Sequence, residues 1–93
     1  MGYRGGVTFE FDSAKSRANK VKHGLDFVEA QSLWESDRVE ITVRIVSGEP
    51  RFAVIGTIKG RIHTIIITYR KSVIRIISAR SSRPNEKKLY ENS

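Results

Sequence analysis

Residues 38–80 of this 93-residue chain contain little besides strand signals. Val39, Ile41, Val43 and Ile45 alternate with Arg38, Glu40, Thr42 and Arg44, the period-two pattern of a half-buried strand. A Ser47-Gly48-Glu49-Pro50 turn leads to a second run marked by Phe52, Val54 and Ile58. Lys59-Gly60 then offers a two-residue hairpin turn. Residues 62–69 are apolar on both faces, with Ile65, Ile66 and Ile67 consecutive, which places this run inside a sheet. Residues 73–79 are similar, with Arg75 intruding. Strands joined by turns this short pair as an antiparallel meander.

The flanks supply the helices. Residues 7–11 alternate as one more strand. Asp12 and Ser13 offer oxygen acceptors for a helix start, and Ala14, Ala18 and Val21 fall at i, i+4 and i+7 as its apolar stripe. Lys15, Arg17, Lys20 and Lys22 take the other faces. The helix ends near His23, with Gly24 suited to a left-handed stop. Asp26 and Glu29 have capping-box spacing, Leu25 can staple onto Ala30, and Phe27, Ala30, Leu33 and Trp34 form the next helix's core stripe. Pro84 opens a last helix reaching Glu91. Residues 1–6, with three glycines, read as a loose start. The expected order is β-α-α-β-β-β-β-α, an α+β fold with the helices on one face of a twisted antiparallel sheet.

A chain of this length is a single domain, residues 1–93, with a modest core. It has no cysteine, so neither disulfides nor thiolate zinc reinforce it. No apolar run approaches the ~18 residues of a membrane span, and no signal-peptide layout opens the chain. Charge is segregated. Residues 1–58 carry eight bases and eight acids; residues 59–88 carry nine bases and one acid, Glu86. A positive excess confined to one third of the chain points to a polyanionic partner: nucleic acid, an acidic protein or an anionic surface.

Chemistry narrows the choice. His23 and His63, 40 residues apart, are the only histidines and have no partner at metal-ligand spacing. A G-x-S-x-G elbow and a phosphate-binding glycine loop are both absent. The basic cluster remains. Cleavage of RNA by its own 2′-hydroxyl needs a proton acceptor, a proton donor and cations around the transition state. Arginine's planar fork suits the last role, and lysine, histidine, glutamate or tyrosine can share the proton transfers. The composition permits a metal-independent ribonuclease and equally a non-catalytic nucleic-acid-binding or partner-docking module. His23 also fits a helix-terminal cation, and Glu86 and Tyr90, at i and i+4, fit a helix-docking pair. By strict alternation Arg75 and Arg80 lie on opposite faces, so a shared site requires a bulge or a strongly curved sheet.

Several segments carry a family resemblance: Phe9-Glu10-Phe11-Asp12; Asn19-Lys20-Val21-Lys22-His23-Gly24-Leu25-Asp26-Phe27; Arg51-Phe52-Ala53-Val54-Ile55-Gly56; Thr68-Tyr69-Arg70. The most specific is Ile74-Arg75-Ile76-Ile77-Ser78-Ala79-Arg80, followed by Glu86 and Tyr90. Over nearly its whole length the chain resembles BrnT, the toxin of BrnT–BrnA type II toxin–antitoxin systems. The resemblance implies a RelE-like fold and a cytoplasmic bacterial endoribonuclease that arrests translation without metal or cofactor. It also implies a BrnA-like antitoxin with a ribbon–helix–helix part that binds operator DNA, in an assembly of two toxins and two antitoxins. Carried over by position, the candidate functional residues are Lys22, His23, Arg51, Arg70, Arg80, Glu86 and Tyr90; all but Arg51 are the catalytic candidates, and Arg51 joins Arg75, Arg83 and Lys87 of the basic cluster as an RNA-binding candidate. Three departures stand out. Phe11 replaces a frequent tryptophan, Pro50 replaces a frequent glutamate before Arg51, and Arg83 replaces a small hydroxyl residue. Glu49, beside Pro50, is the available substitute carboxylate.

Overall fold

The first helix starts and stops where its capping residues dictate. The Asp12 carboxylate accepts the Lys15 N–H at 3.0 Å, and Gly24, at φ +77°, accepts the left-handed turn that ends the helix. The computed structural model describes the backbone of residues 2–4 and all of residues 6–93. Its elements are β1 (Gly2–Arg4), β2 (Val7–Glu10), α1 (Ser13–His23), α2 (Phe27–Ala30), β3 (Arg38–Val46), β4 (Glu49–Ile58), β5 (Arg61–Arg70), β6 (Val73–Ser81) and α3 (Pro84–Glu91). Asp26 and Glu29 form the expected capping box of α2, which runs directly into a 3-10 turn, Gln31–Glu35.

The strands lie in the order β1-β2-β6-β5-β4-β3. β3 to β6 form the expected antiparallel meander, and doubly apolar β5 lies inside the sheet. β2 departs from the wholly antiparallel expectation by pairing parallel to β6, so the sheet is mixed. Its parallel partner follows from the route of the chain. The helical segment carries it across one face to the far edge, the meander returns, and β6 arrives beside β2. Gly2–Arg4 is not loose but pairs antiparallel with β2, and Gly6 turns at φ +87°; Met1 and Gly5, which that expectation also covered, lie outside the described residues. The turn between β3 and β4 is also shorter than expected. Ser47 and Gly48 take positive φ, and Glu49 and Pro50 already belong to β4.

The core lies between the sheet and the helical segment, built from Phe9, Leu25, Phe27, Leu33, Val54, Ile65, Ile67 and Ile76. Gly56 lets the two approach. A Cβ there would stand 2.9 Å from the Leu33 side chain and 3.2 Å from the Asp37 carbonyl. The expected apolar stripe of α1 is not in the core. Ala14 and Ala18 are exposed, Val21 is 89% exposed, and the buried residues of α1 are Ser16 and Asn19. The reason is polar. β2 pairs with β6 only through residues 73–75, leaving the next stretch of that β6 edge without a strand. There Asn19 donates to the Ala79 carbonyl at 2.8 Å and accepts the Ala79 N–H at 3.3 Å. It also donates to Leu25 O at 2.6 Å, while Ser16 accepts the Phe27 N–H at 2.9 Å. Apolar side chains there would leave these buried backbone groups unpaired.

Candidate functional site

A one-residue irregularity in β6 assembles the site. Ile66 pairs with Ser78 but Ile67 pairs with Ile76, so Ile77 has no partner across the strand pair. This bulge resets the alternation. Arg75 pairs with Thr68 and Arg80 with Thr64, and those threonines, four residues apart on regular β5, share a face. Arg75 and Arg80 therefore project from the same face, opposite buried Ile74, Ile76 and Ala79. Two arginine centres result.

In the first, Arg80 grips Glu86 from α3 with Nη1–Oε1 at 2.7 Å and Nη2–Oε2 at 2.9 Å. Glu86 also accepts from Thr64 Oγ1 at 3.0 Å and from the Arg83 N–H at 2.8 Å; Thr64 meets Ser82 Oγ at 2.7 Å. The pair is nearly enclosed, with side chains 18% and 10% exposed. The Arg80 hydrogen bond, joined by those of Arg83 and Thr64, holds the Glu86 carboxyl down at about 2 against desolvation. A carboxylate this well satisfied is a weak base. It docks α3 on the sheet face opposite α1 and α2, not on the one face expected for all helices, and caps it where Arg83 lacks a hydroxyl. Tyr90 shares that helix but reaches elsewhere, donating to the Asp37 carbonyl at 3.1 Å.

The second centre is open. Lys15, Arg51, Arg70 and Arg75, with Asp12, Ile76 and Ile77, line a polar cavity of about 130 Å³. Arg70 is held by Glu49 (Nε–Oε2 3.0 Å, Nη2–Oε1 3.2 Å) and Arg75 by Glu10 (Nη1–Oε2 2.9 Å). Arg70's hydrogen bond keeps Glu49 below the usual carboxylate range. Glu49, beside Pro50, is thus the carboxylate that meets Arg70. Arg51 differs from its neighbours, because its Nε–H is buried with no hydrogen-bond partner. On β3, Arg44 pairs directly across from Arg51 and extends the positive row.

Lys22 and His23 stand exposed at the end of α1. Among the described residues, no hydrogen bond or ion pair joins either of them to Arg70 or Arg80. Arg83 is exposed at the start of α3, and Lys87 lines a cavity of about 420 Å³ with Arg61, Ser81 and Glu91. Sequence reasoning missed Glu10, Lys15, Asn19, Thr64 and Ser82. Glu10 and Asn19 stood inside quoted motifs, but long-range pairing decides their roles. No group of three His, Cys, Asp or Glu side chains converges as a metal-ligand set among the described residues.

The family model described as the ribonuclease toxin BrnT of type II toxin–antitoxin systems matches residues 11–86. The chain belongs to the BrnT family. The matched span holds both arginine centres apart from Glu10, ends on Glu86 and stops short of Tyr90. A search of curated proteins finds no match. Membership makes the chain a ribonuclease toxin with an antitoxin partner. Among the described residues no helix is long and apolar enough to cross a membrane.

Proposed function

We propose that this BrnT-family toxin is a metal-independent endoribonuclease that cuts RNA at the open arginine cavity. One observation carries the assignment. Arg51, whose Nε–H is buried and unpartnered, lines a cavity with Lys15, Arg70 and Arg75. An orphaned buried donor is costly unless something occupies the site, and a phosphate oxygen satisfies donor and charge together. Arg51, Arg70 and Arg75 hold the scissile phosphate and stabilise the charge that builds on it, the largest catalytic contribution available to such a site. The 2′-oxygen attacks phosphorus and the 5′-oxygen leaves, producing a 2′,3′-cyclic phosphate. Glu49 takes the 2′-hydroxyl proton. Arg70 is its main partner, so a phosphate drawing Arg70 away raises the proton affinity of Glu49 when the reaction needs it. Lys15 is the available proton donor to the leaving oxygen.

In this reading Arg80 and Glu86 are positioning residues that set β6 and α3, and Tyr90 docks the helix. Lys22, His23, Arg83 and Lys87 contact the RNA chain away from the cut. The toxin acts in the cytoplasm, where RNA loss arrests translation. A BrnA-like antitoxin covers the same positive face in a complex of two toxins and two antitoxins. The test is incubation of purified toxin with RNA in the presence of EDTA. Fragments ending in 2′,3′-cyclic phosphate are expected, with Arg51→Ala slower by about a hundredfold or more, the effect of removing one preorganised donor. Intact RNA, a requirement for added metal, or an unchanged Arg51→Ala rate overturns the reading.

A further inference from the structure

A further cavity lies away from both arginine centres. It occupies about 530 Å³ between α2, the end of α1 and the β4–β5 hairpin. Its apolar lining is Leu25, Val28 and Ile58, and its rim carries Lys20, Lys59 and Arg61 against one acid, Glu29. Lys20 is committed to that acid at 2.8 Å. Lys59 and Arg61 have no hydrogen-bond or ion-pair partner for their side chains among the described residues, which leaves the rim two positive charges in excess. Lys59 sits in the two-residue turn of the hairpin, whose geometry matches that of the Ser47-Gly48 turn. Lys59 adopts φ +51°, a left-handed conformation unusual for a residue with a side chain, followed by Gly60 at φ +77°.

His63 lines the same cavity, and the geometry fixes its tautomer. Its Nδ1 lies 3.0 Å from the Arg61 carbonyl oxygen, which only accepts, so Nδ1 carries the hydrogen. In the neutral ring Nε2 is then an acceptor, ready for an exocyclic amine or a ring N–H. An apolar lining, two uncommitted cations and an oriented hydrogen-bonding ring suit a flat heteroaromatic group attached to an anion, and the volume is in the range of small-ligand pockets.

We propose that this groove is a nucleotide subsite that holds one unit of the RNA substrate remote from the cut. Its base lies on Val28 and Ile58 beside His63, and its phosphate is held by Lys59 and Arg61. The inference rests on the ribonuclease reading for its biological role, and its direct test does not depend on cleavage. Adenosine 5′-monophosphate, adenosine and inorganic phosphate are titrated separately into isotope-labelled toxin, followed by NMR. The nucleotide is expected to shift the amides of Val28, Lys59 and Arg61 and the His63 ring signals in a saturable way. Lys59→Ala/Arg61→Ala is expected to weaken that binding about tenfold, the low end for a charge-assisted hydrogen bond. Binding of phosphate as tight as that of the nucleotide overturns the base contact. Shifts confined to the Arg51 cavity, or a glutamate-rich peptide displacing the nucleotide at lower concentration, overturn the subsite.

With RNA as substrate, the same double variant is expected to raise KM about tenfold, while Lys88→Ala on α3 leaves it unchanged. If the parent toxin cuts no RNA, the cleavage proposal fails and the nucleotide titration still decides the groove. If the parent cuts and the double variant keeps its KM, the groove proposal alone fails.

Discussion

Two arginine–carboxylate centres share one face of the sheet and differ in how fully they are satisfied. At Arg80–Glu86 the acid accepts from Arg80, Thr64 and the Arg83 N–H in near-complete enclosure. At Arg70–Glu49 the side chains are 48% and 35% exposed, and neighbouring Arg51 is left with an unmet donor. Saturation makes the first a clasp, because every lone pair it fills is one a substrate cannot use. Under the proposed function, incompleteness makes the second the receptor for phosphate. The chemical pair is the same in both; burial and the count of additional donors decide its role.

The comparison can be broken by exchanging expectations between the centres. The largest effects belong to the open one. Arg51→Ala should lower kcat/KM for RNA by about a hundredfold or more. Glu49→Gln should do the same through loss of the proton acceptor, while changing unfolding free energy by less than about 0.5 kcal/mol in urea melts, as for an exposed pair. Glu86→Gln should show the reverse. Leaving a part-buried guanidinium half-paired is expected to cost about 2–3 kcal/mol of stability, with the rate per folded molecule within a few-fold of the parent.

The same clasp predicts a pH response. The carboxyl of Glu86 is depressed from the ordinary 4.5 to about 2. The unfolded chain therefore binds the proton first, so the contribution is full above about pH 5. It fades as pH falls through the interval from 4.5 to 2, by about 3 kcal/mol in all. Acid unfolding of Glu86→Gln should lack this component; parallel pH–stability curves for the two proteins would refute the clasp. The smallest effect is expected at Tyr90→Phe. One exposed hydrogen bond to a carbonyl is lost, at about 0.5–1 kcal/mol, with RNA cleavage unchanged. A large loss of rate would return Tyr90 to the catalytic set.

Legibility in the sequence followed the range of the interactions. Local devices were readable: Asp12 and Gly24 bound α1, the Asp26–Glu29 box starts α2, and Lys59-Gly60 turns the hairpin. The doubly apolar run of β5 correctly placed it inside the sheet. The α1 face was misjudged because periodicity counts apolar side chains, whereas an open strand edge needs hydrogen-bonding ones, and Asn19 meets Ala79 from 60 residues away. The parallel β2–β6 pairing was hidden for the same reason, being set by the path of the intervening chain. At the candidate site, arginine identity was legible. Which arginine is saturated and which is not depends on Glu10, Glu49 and Thr64 arriving from other strands.

The bulge at Ile77 makes the chain's length, and not only its residue types, a determinant of the site. Inserting one further residue between Arg75 and Arg80 would shift the alternation by one position beyond the bulge and turn one guanidinium into the core, splitting the positive face with every arginine still present. Exchanging Ile77 for another apolar residue would leave that face whole. Variation in this segment is therefore better tolerated as spelling than as spacing.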